Sequence, residues 1–342
     1  MRRGFAIKSP IAPVALVVLA GVLAAAPVRA ADTTLTLYNG QHEQAVNLLI
    51  ADFTKRTGIK VKVRSGDGPE IANQIAQEGS RSPADVYFTE NSPELVLLEE
   101  KGLLAPVDSQ TLAEIPSQYN SPKADWVGVV ARENVLAYNA SLIPAGQLPQ
   151  SLMDLAAPAW LHKVGIAPSD SDFLPLVSAV AAVKGHDAAL QWLRGLEKNA
   201  QIFDDDEGVV AAVNRGTVAT GIINSYYWAR LRQQLGSSGM HSAVYHFTNG
   251  DIGGLVNVSG AAALKSAPHR QVAQSFLNYL VGAPAQTLLE RTNIIFEYPL
   301  RPGVPASPVL KPFDQLQPPA VDVSKLGDDG DAAALLREAG LL

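Results

Sequence analysis

Residues 33–63 read TTLTLYNGQHEQAVNLLIADFTKRTGIKVKV, and this stretch decides the fold class. Thr33 to Tyr38 alternates polar and apolar side chains as a half-buried strand does, and Asn39-Gly40 is a turn signal. Ala45, Leu48, Leu49 and Phe53 then recur at three-to-four spacing, the period of one helix face. Thr57-Gly58 closes that helix, with glycine able to supply a left-handed cap. Ile59, Val61 and Val63 alternate again. Strand, helix and strand joined by short turns are the repeating unit of a mostly parallel α/β sheet.

The same grammar runs outward along the chain. Ile71 and Ile75 mark a helix before Gly79, Asp85-Val86-Tyr87-Phe88 is a buried strand, and residues 94–101 form a helix stopped by Gly102. Residues 126–138 make a long β-rich run of the kind that crosses between domains. A surface helix is expected over residues 152–160, a short strand over 164–167, and helices over 173–183, 187–196 and 208–214. Thr220 to Ile223 is a strand that leads directly into Ser225-Tyr226-Tyr227. Residues 255–262 read as a return strand, followed by helices at 270–280, at 284–290 and after Asp328. The proline-rich connector over residues 302–319 reads as a structured wrap over the surface.

Arg2, Arg3 and Lys8 precede a long apolar run, and Val28-Arg29-Ala30 offers small residues before a cut after Ala30. That is the pattern of an export signal, so the mature chain is expected to be exported. The chain has no cysteine, which excludes disulfides, iron–sulfur clusters and thiolate metal sites. Its stability must come from a core, and about 310 mature residues suggest two domains. Without Arg2, Arg3, Lys8 and Arg29 there remain 23 basic and 33 acidic residues, a net charge of −10 that disfavours nucleic acid. Gly66-Asp67-Gly68 is not a dinucleotide fingerprint, no phosphate-cradling loop occurs, and His42-Glu43 lacks the second histidine of HExxH.

Three loops hold residues with metal-binding chemistry. His42 follows the first strand, where it can cap the next helix or face a cleft. Glu90 follows the buried strand and has the same two options. Tyr226 and Tyr227 follow a third strand, and adjacent tyrosines ordinarily pack. In a continuing strand their side chains would point to opposite faces, so both reach one ligand only if the backbone turns there. Imidazole, carboxylate and two phenolates would make a mostly oxygen, trianionic set suited to a hard trivalent ion. Zinc draws more histidine or cysteine, and calcium more carboxylates and carbonyls.

Taken together these segments resemble the periplasmic ferric-ion-binding proteins of bacterial ABC iron importers, the bacterial transferrins. The resemblance lies in Leu37-Tyr38-Asn39-Gly40-Gln41-His42, in residues 78–86 followed by Glu90, in Asn224-Ser225-Tyr226-Tyr227-Trp228, in Ser259-Gly260-Ala261-Ala262 and in Glu297-Tyr298-Pro299-Leu300. It implies a two-domain clamshell of the periplasmic-binding-protein type, with mixed, mostly parallel sheets and crossing hinge strands. After a signal peptide over residues 1–30, the N-terminal domain would comprise 31–133 and 257–302, and the C-terminal domain 134–256 and 303–342. Fe³⁺ would be held by His42, Glu90, Tyr226 and Tyr227, with carbonate, another small anion or water completing its coordination. The cognate partner would be an inner-membrane permease, and the protein a monomer without enzymatic activity.

Several relatives carry serine, glycine or asparagine where this chain has acids in Pro168-Ser169-Asp170-Ser171-Asp172-Phe173 and Asp204-Asp205-Asp206-Glu207. Asp170 and Asp206 are nearest the expected anion pocket and Asp170 or Asp172 is able to face the cleft, while Asn224 keeps the pocket's polar residue. Two carboxylates would repel a phosphate. An aspartate in the anion's place, waters or carbonate, or simple helix capping by these acids remain open from the sequence. Capping suits Asp206-Glu207, which precede a helix. Two other functions fit the residues read alone. One is binding of another solute in the same fold (ferrous iron, a polyamine, thiamine, a sugar or an anion), and the other is a secreted carboxylate hydrolase.

Overall fold

A computed structural model describes Met1 and residues 34–292 and 294–342. The expected export signal lies outside the described residues. The opening stretch folds as its pattern requires, with β1 (Thr34–Gly40), α1 (Glu43–Thr57) and β2 (Lys60–Ser65) in succession. Gly58 caps α1 at φ 75°, and its N–H donates to the Thr54 carbonyl at 2.8 Å. That conformation has little cost for glycine and a real one for other residues. Next come α2 (Gly68–Glu78), β3 (Val86–Thr89), α3 (Ser92–Glu100), the single turn α4 (Ser109–Leu112) and the long β4 (Val127–Asn139).

The second half repeats the alternation with β5 (Val164–Ile166), α5 (Leu174–Lys184), α6 (His186–Asn199), β6 (Ala200–Ile202), α7 (Asp206–Arg215), β7 (Thr220–Asn224) and α8 (Ser225–Leu235). Then follow β8 (Ser242–Tyr245), β9 (Val256–Ala263), α9 (Arg270–Val281), α10 (Ala283–Arg291), β10 (Tyr298–Pro299) and α11 (Gly330–Ala339).

The strands order as β2-β1-β3-β9-β4-β7-β5-β6, with β8 and β10 also pairing with β4. The parallel pairs occupy two wings, β2-β1-β3 and β7-β5-β6. Every antiparallel pair involves β4 or β9. The sheet is therefore mixed, with its antiparallel part concentrated where the two wings meet. β4 changes partners midway: Val127 to Glu133 lie against β9, and Asn134 to Asn139 against β7 and β8.

Both wings bury apolar side chains. Leu35, Leu37, Val86 and Phe88 fill the core of the first wing, where Phe53 of α1 meets Phe276 of α9 edge-on at 5.0 Å. Val164, Ile166, Ile222 and Ile223 do the same in the second wing. Each such side chain contributes about 1.5–3 kcal/mol through its removal from water. At the end of β1, a Cβ on Gly40 would fall 2.7 Å from the Gly68 Cα, so the chain after β2 can approach β1 this closely only because Gly40 lacks a side chain.

The helix expected over residues 152–160 is not one continuous helix. Two 3₁₀ turns, Leu152–Ala156 and Pro158–Trp160, occupy it, with Leu152, Leu155 and Trp160 buried. Pro158 bars Ala157 from helical backbone angles, and Ser151 with Asp154 forms a capping box on the first turn.

The C-terminal segment touches both wings. Ser92 at the start of α3 donates to the Val323 carbonyl at 3.2 Å and to Asn257 Oδ1 at 3.1 Å. Ser178 of α5 donates to Asp329 Oδ1 at 2.8 Å. Burial pushes the Asp329 carboxyl up to about 7 against the pull of the Ser178 hydroxyl, and Asp328 adds repulsion. The folded state thus holds this proton more tightly than the unfolded chain does. The resulting stabilisation is present below about pH 4 and is lost as pH rises through about 7. Asp329→Asn should therefore stabilise the protein at pH 8 by roughly 2–4 kcal/mol and make little difference below pH 4. Asparagine also tolerates the left-handed backbone at this position, φ 61°. Urea midpoints of both proteins across pH 4–8 measure the effect, and a constant difference would rule it out.

Candidate metal centre

His42 owes its position to a turn knit by amide side chains. Asn39 accepts from the Gln41 N–H at 3.0 Å and donates to the Gln41 carbonyl at 2.8 Å. Gln41 in turn accepts from the His42 N–H at 2.6 Å and donates to Ser259 on β9 at 2.8 Å. His42 stands at the N-cap of α1, yet its side chain makes no capping bond. Its Nδ1 instead lies 2.8 Å from Glu90 Oε1. Its Nε2 is buried with no hydrogen-bond partner among the described residues. Glu90 is likewise not a cap. It leaves β3 with its N–H on the Gly40 carbonyl at 3.3 Å, and Asn91 takes the N-cap position of α3. Burial opposes a charge on His42, but the Glu90 carboxylate more than offsets it, so the ring's affinity for a proton is raised.

The tyrosines sit where β7 turns into α8, in the first helical turn, so both phenols project to one side. Tyr226 donates to Asp172 Oδ2 at 2.6 Å, and Tyr227 to the same oxygen at 3.2 Å. Their rings lie 4.1 Å apart, and the His42 ring meets the Tyr226 ring edge-on at 5.4 Å. The site thus joins His42 and Glu90 from the first wing to Tyr226 and Tyr227 from the second. Burial first, and the Asp172 charge next, push both phenols well above the ordinary tyrosine range. In this state they are protonated donors.

Of the acids near the tyrosines, Asp172 is the one that faces them. Asp170 accepts from the Asp172 N–H at 3.0 Å and from the Asp206 N–H at 3.1 Å. Asp206 accepts from the Asn224 N–H at 3.0 Å. Asp170 and Asp206 therefore brace the loop after β5, the start of α7 and the turn into α8. Asp205, not Asp206, caps α7, accepting from the Gly208 N–H at 2.7 Å. Asn224 Oδ1 is buried without a partner among the described residues. Burial and the Asp172 charge push Asp170 up to about 7, and burial pushes Asp206 well above the usual range. Burial also works against Asp172, but Arg132, the Tyr226 hydroxyl, His42 and the Asn224 side chain outweigh it and hold this carboxyl below the usual range. Asp172 is the firmly ionised acid of the three.

Two arginines complete the centre, and neither was singled out from the sequence. Arg132 on β4 is 1% exposed. Its Nη2 stands 3.2 Å from Asp172 Oδ1 and also donates to Asn91 Oδ1, while Nη1 donates to the Glu90 carbonyl and faces Glu297 Oε1 at 3.5 Å. Burial pushes Glu297 up to about 7 in spite of Arg132. Arg230 places its guanidinium 4.8 Å from the Tyr226 ring centre and donates through Nε to the Ile294 carbonyl at 3.2 Å. A signal for each was present: Arg132 interrupts an apolar strand, and Arg230 lies four residues after Tyr226 on one helix face.

Among the described residues no three histidine, aspartate or glutamate side chains could hold a metal by themselves. Any metal bound here would depend on the phenols. A nitrogen, two carboxylates and two phenols that must ionise favour a hard, strongly acidic cation.

A family model described as bacterial extracellular solute-binding protein matches residues 49–317. Over 335 residues the chain is 40% identical to the Fe(3+)-binding periplasmic protein of Serratia marcescens, covering 98% of each chain. It is 36% identical over 325 residues to the major ferric iron-binding protein of Neisseria meningitidis, covering 94% of this chain and 97% of that one. The fold is similar to the crystal structure of iron-bound HitA from Pseudomonas aeruginosa, with a TM-score of 0.86 and 41% identity over 90% of this chain and 100% of the other.

Proposed function

Since the chain belongs to the family of bacterial extracellular solute-binding proteins, we propose that it captures Fe³⁺ in the periplasm and delivers it to an ABC permease in the inner membrane. It does so as a carrier, without making or breaking covalent bonds in its cargo. The observation that carries this reading is the convergence of Tyr226 and Tyr227 with the His42–Glu90 pair around one carboxylate, Asp172. Ionising a phenol at neutral pH costs about 4 kcal/mol even in water, and burial adds to that. Only a strongly acidic cation offsets such a cost twice. The polyamine, thiamine, sugar and hydrolase readings are not favoured, because relatives at 36–41% identity are named for ferric iron or were crystallised with iron.

The ligands in this reading are His42 and Glu90 from the first wing and Tyr226 and Tyr227 from the second, with the wings as the two domains of a monomer. Asp172 takes the place of an exogenous anion, since it already lies against both phenols and Arg132. A water completes the shell. Asp170, Asp206 and Asn224 support it through the backbone without touching the metal. Fe³⁺ loads on the tyrosines. Approach of His42 and Glu90 then excludes water, which strengthens each charged contact.

Titration of the protein with Fe³⁺ from a labile chelate tests the proposal. Uptake of a single metal per chain with an intense visible phenolate-to-iron band is expected. A colourless protein that ignores Fe³⁺ and binds an organic solute would refute it.

A further inference from the structure

The ferric reading leaves the buried carboxylate of Glu297 without a task. Glu297 is 3% exposed, in the segment between α10 and β10. Neither of its carboxylate oxygens has a hydrogen-bond partner among the described residues. Leaving a carboxyl group buried with both oxygens unbonded is expensive, so a second arrangement that satisfies it is called for.

Arg132 has the matching deficit. Its Nε is buried without a partner among the described residues, while its Nη1 stands 3.5 Å from Glu297 Oε1. The rest of the guanidinium is engaged with Asp172, Asn91 and the Glu90 carbonyl. An unmet donor therefore lies on the side chain that faces two unmet acceptors. A modest movement of either converts the loose contact into a two-pronged arginine–carboxylate pair, the strongest geometry available to these groups.

We propose, on the basis of the ferric reading, that Glu297 is the alternate counter-ion of Arg132 and receives its guanidinium when Asp172 turns onto the metal. In the present arrangement Arg132 is shared, closer to Asp172 at 3.2 Å than to Glu297. Coordination draws the Asp172 carboxylate toward Fe³⁺ and weakens its hold on Arg132. Without Glu297 that step would strand a buried cation, and Arg132 would pull Asp172 back. Glu297 is thus a positioning residue, acting on the metal through Arg132 and Asp172.

A double-substitution cycle tests this, with Fe³⁺ affinity read by competition against citrate. Glu297→Gln should weaken binding about tenfold or more, the usual effect of removing a partner behind a metal ligand. In an Asp172→Asn background the same change should alter affinity by less than about twofold, within the scatter of uncoupled sites. The phenolate-to-iron band of Glu297→Gln should shift toward that of Asp172→Asn, a signature that loss of packing would not produce. Equal effects in both backgrounds, or wild-type affinity in Glu297→Gln, overturn the inference. If circular dichroism shows that Glu297→Gln does not fold, Glu297→Asp replaces it: the charge is kept, the reach is shortened, and the same two outcomes decide. A wild-type protein that takes no Fe³⁺ would refute the ferric reading together with this inference, whereas the variant results bear on the inference alone.

Discussion

Tyr226→Phe/Tyr227→Phe should abolish the visible band on Fe³⁺ loading and weaken Fe³⁺ binding at least on the order of a thousandfold, about 4 kcal/mol. Phenylalanine keeps the rings, their 4.1 Å stacking and the Arg230 contact, so the substitution removes oxygens and little else. Lost with those oxygens are two anionic donors from the ferric set and both hydrogen bonds to Asp172. Of the single variants, Tyr226→Phe should cost more, because its bond to Asp172 is the shorter, 2.6 Å against 3.2 Å, and its side chain is the more deeply buried. Competition titration alongside absorption spectra measures both effects. A double variant that retains the band and the affinity would show that the tyrosines are not ligands.

The largest expected effect on stability belongs to Arg132→Met. Methionine fills much of the space but carries no charge, leaving Asp172 and Glu297 buried with their shared cation gone. Asn91 Oδ1 and the Glu90 carbonyl lose a donor as well. Breaking a buried ion pair from one side costs about 3–5 kcal/mol, chiefly through the charge left behind. Urea unfolding at pH 7 should show a loss of that size, and adding Asp172→Asn should restore part of it. A loss below about 1 kcal/mol would place Arg132 among ordinary surface ion pairs.

The alternation of strand and helix was legible because its signals are local: period two, period three to four, and glycine stops. The strands from Thr220 and Val256 and the helices from Arg270 and Ala283 fall close to where those signals put them. β6, β8 and β10 were not anticipated: β6 and β8 lack the fully buried apolar run that marks the equally short β3 and β5, and β10 is only two residues long. His42, Glu90 and the tyrosines could be picked out because parallel sheets present ligands at strand ends. Which aspartate faces the phenols was a different kind of question. Asp170 and Asp172 are two residues apart in one turn, and only the path of that turn decides between them. Arg132 and Glu297 were harder still. A charge in an apolar strand marks Arg132 as unusual, and Glu297 lies in a segment that carries the resemblance, but that the two face each other depends on contacts across distant parts of the chain.

In the proposed carrier, the C-terminal segment would set a mechanical limit on any parting of the wings that releases the metal. It is anchored to the first wing at Val323 and to the second at Asp329. Five residues lie between the anchors, six steps along the chain, a tether of at most about 22 Å when drawn straight. While both bonds hold, Ser92 and Ser178 can part no further than that tether and their own short side chains allow. A wider gape must break one anchor first, so the travel of the two wings has a built-in stop at the end of the molecule farthest in sequence from His42.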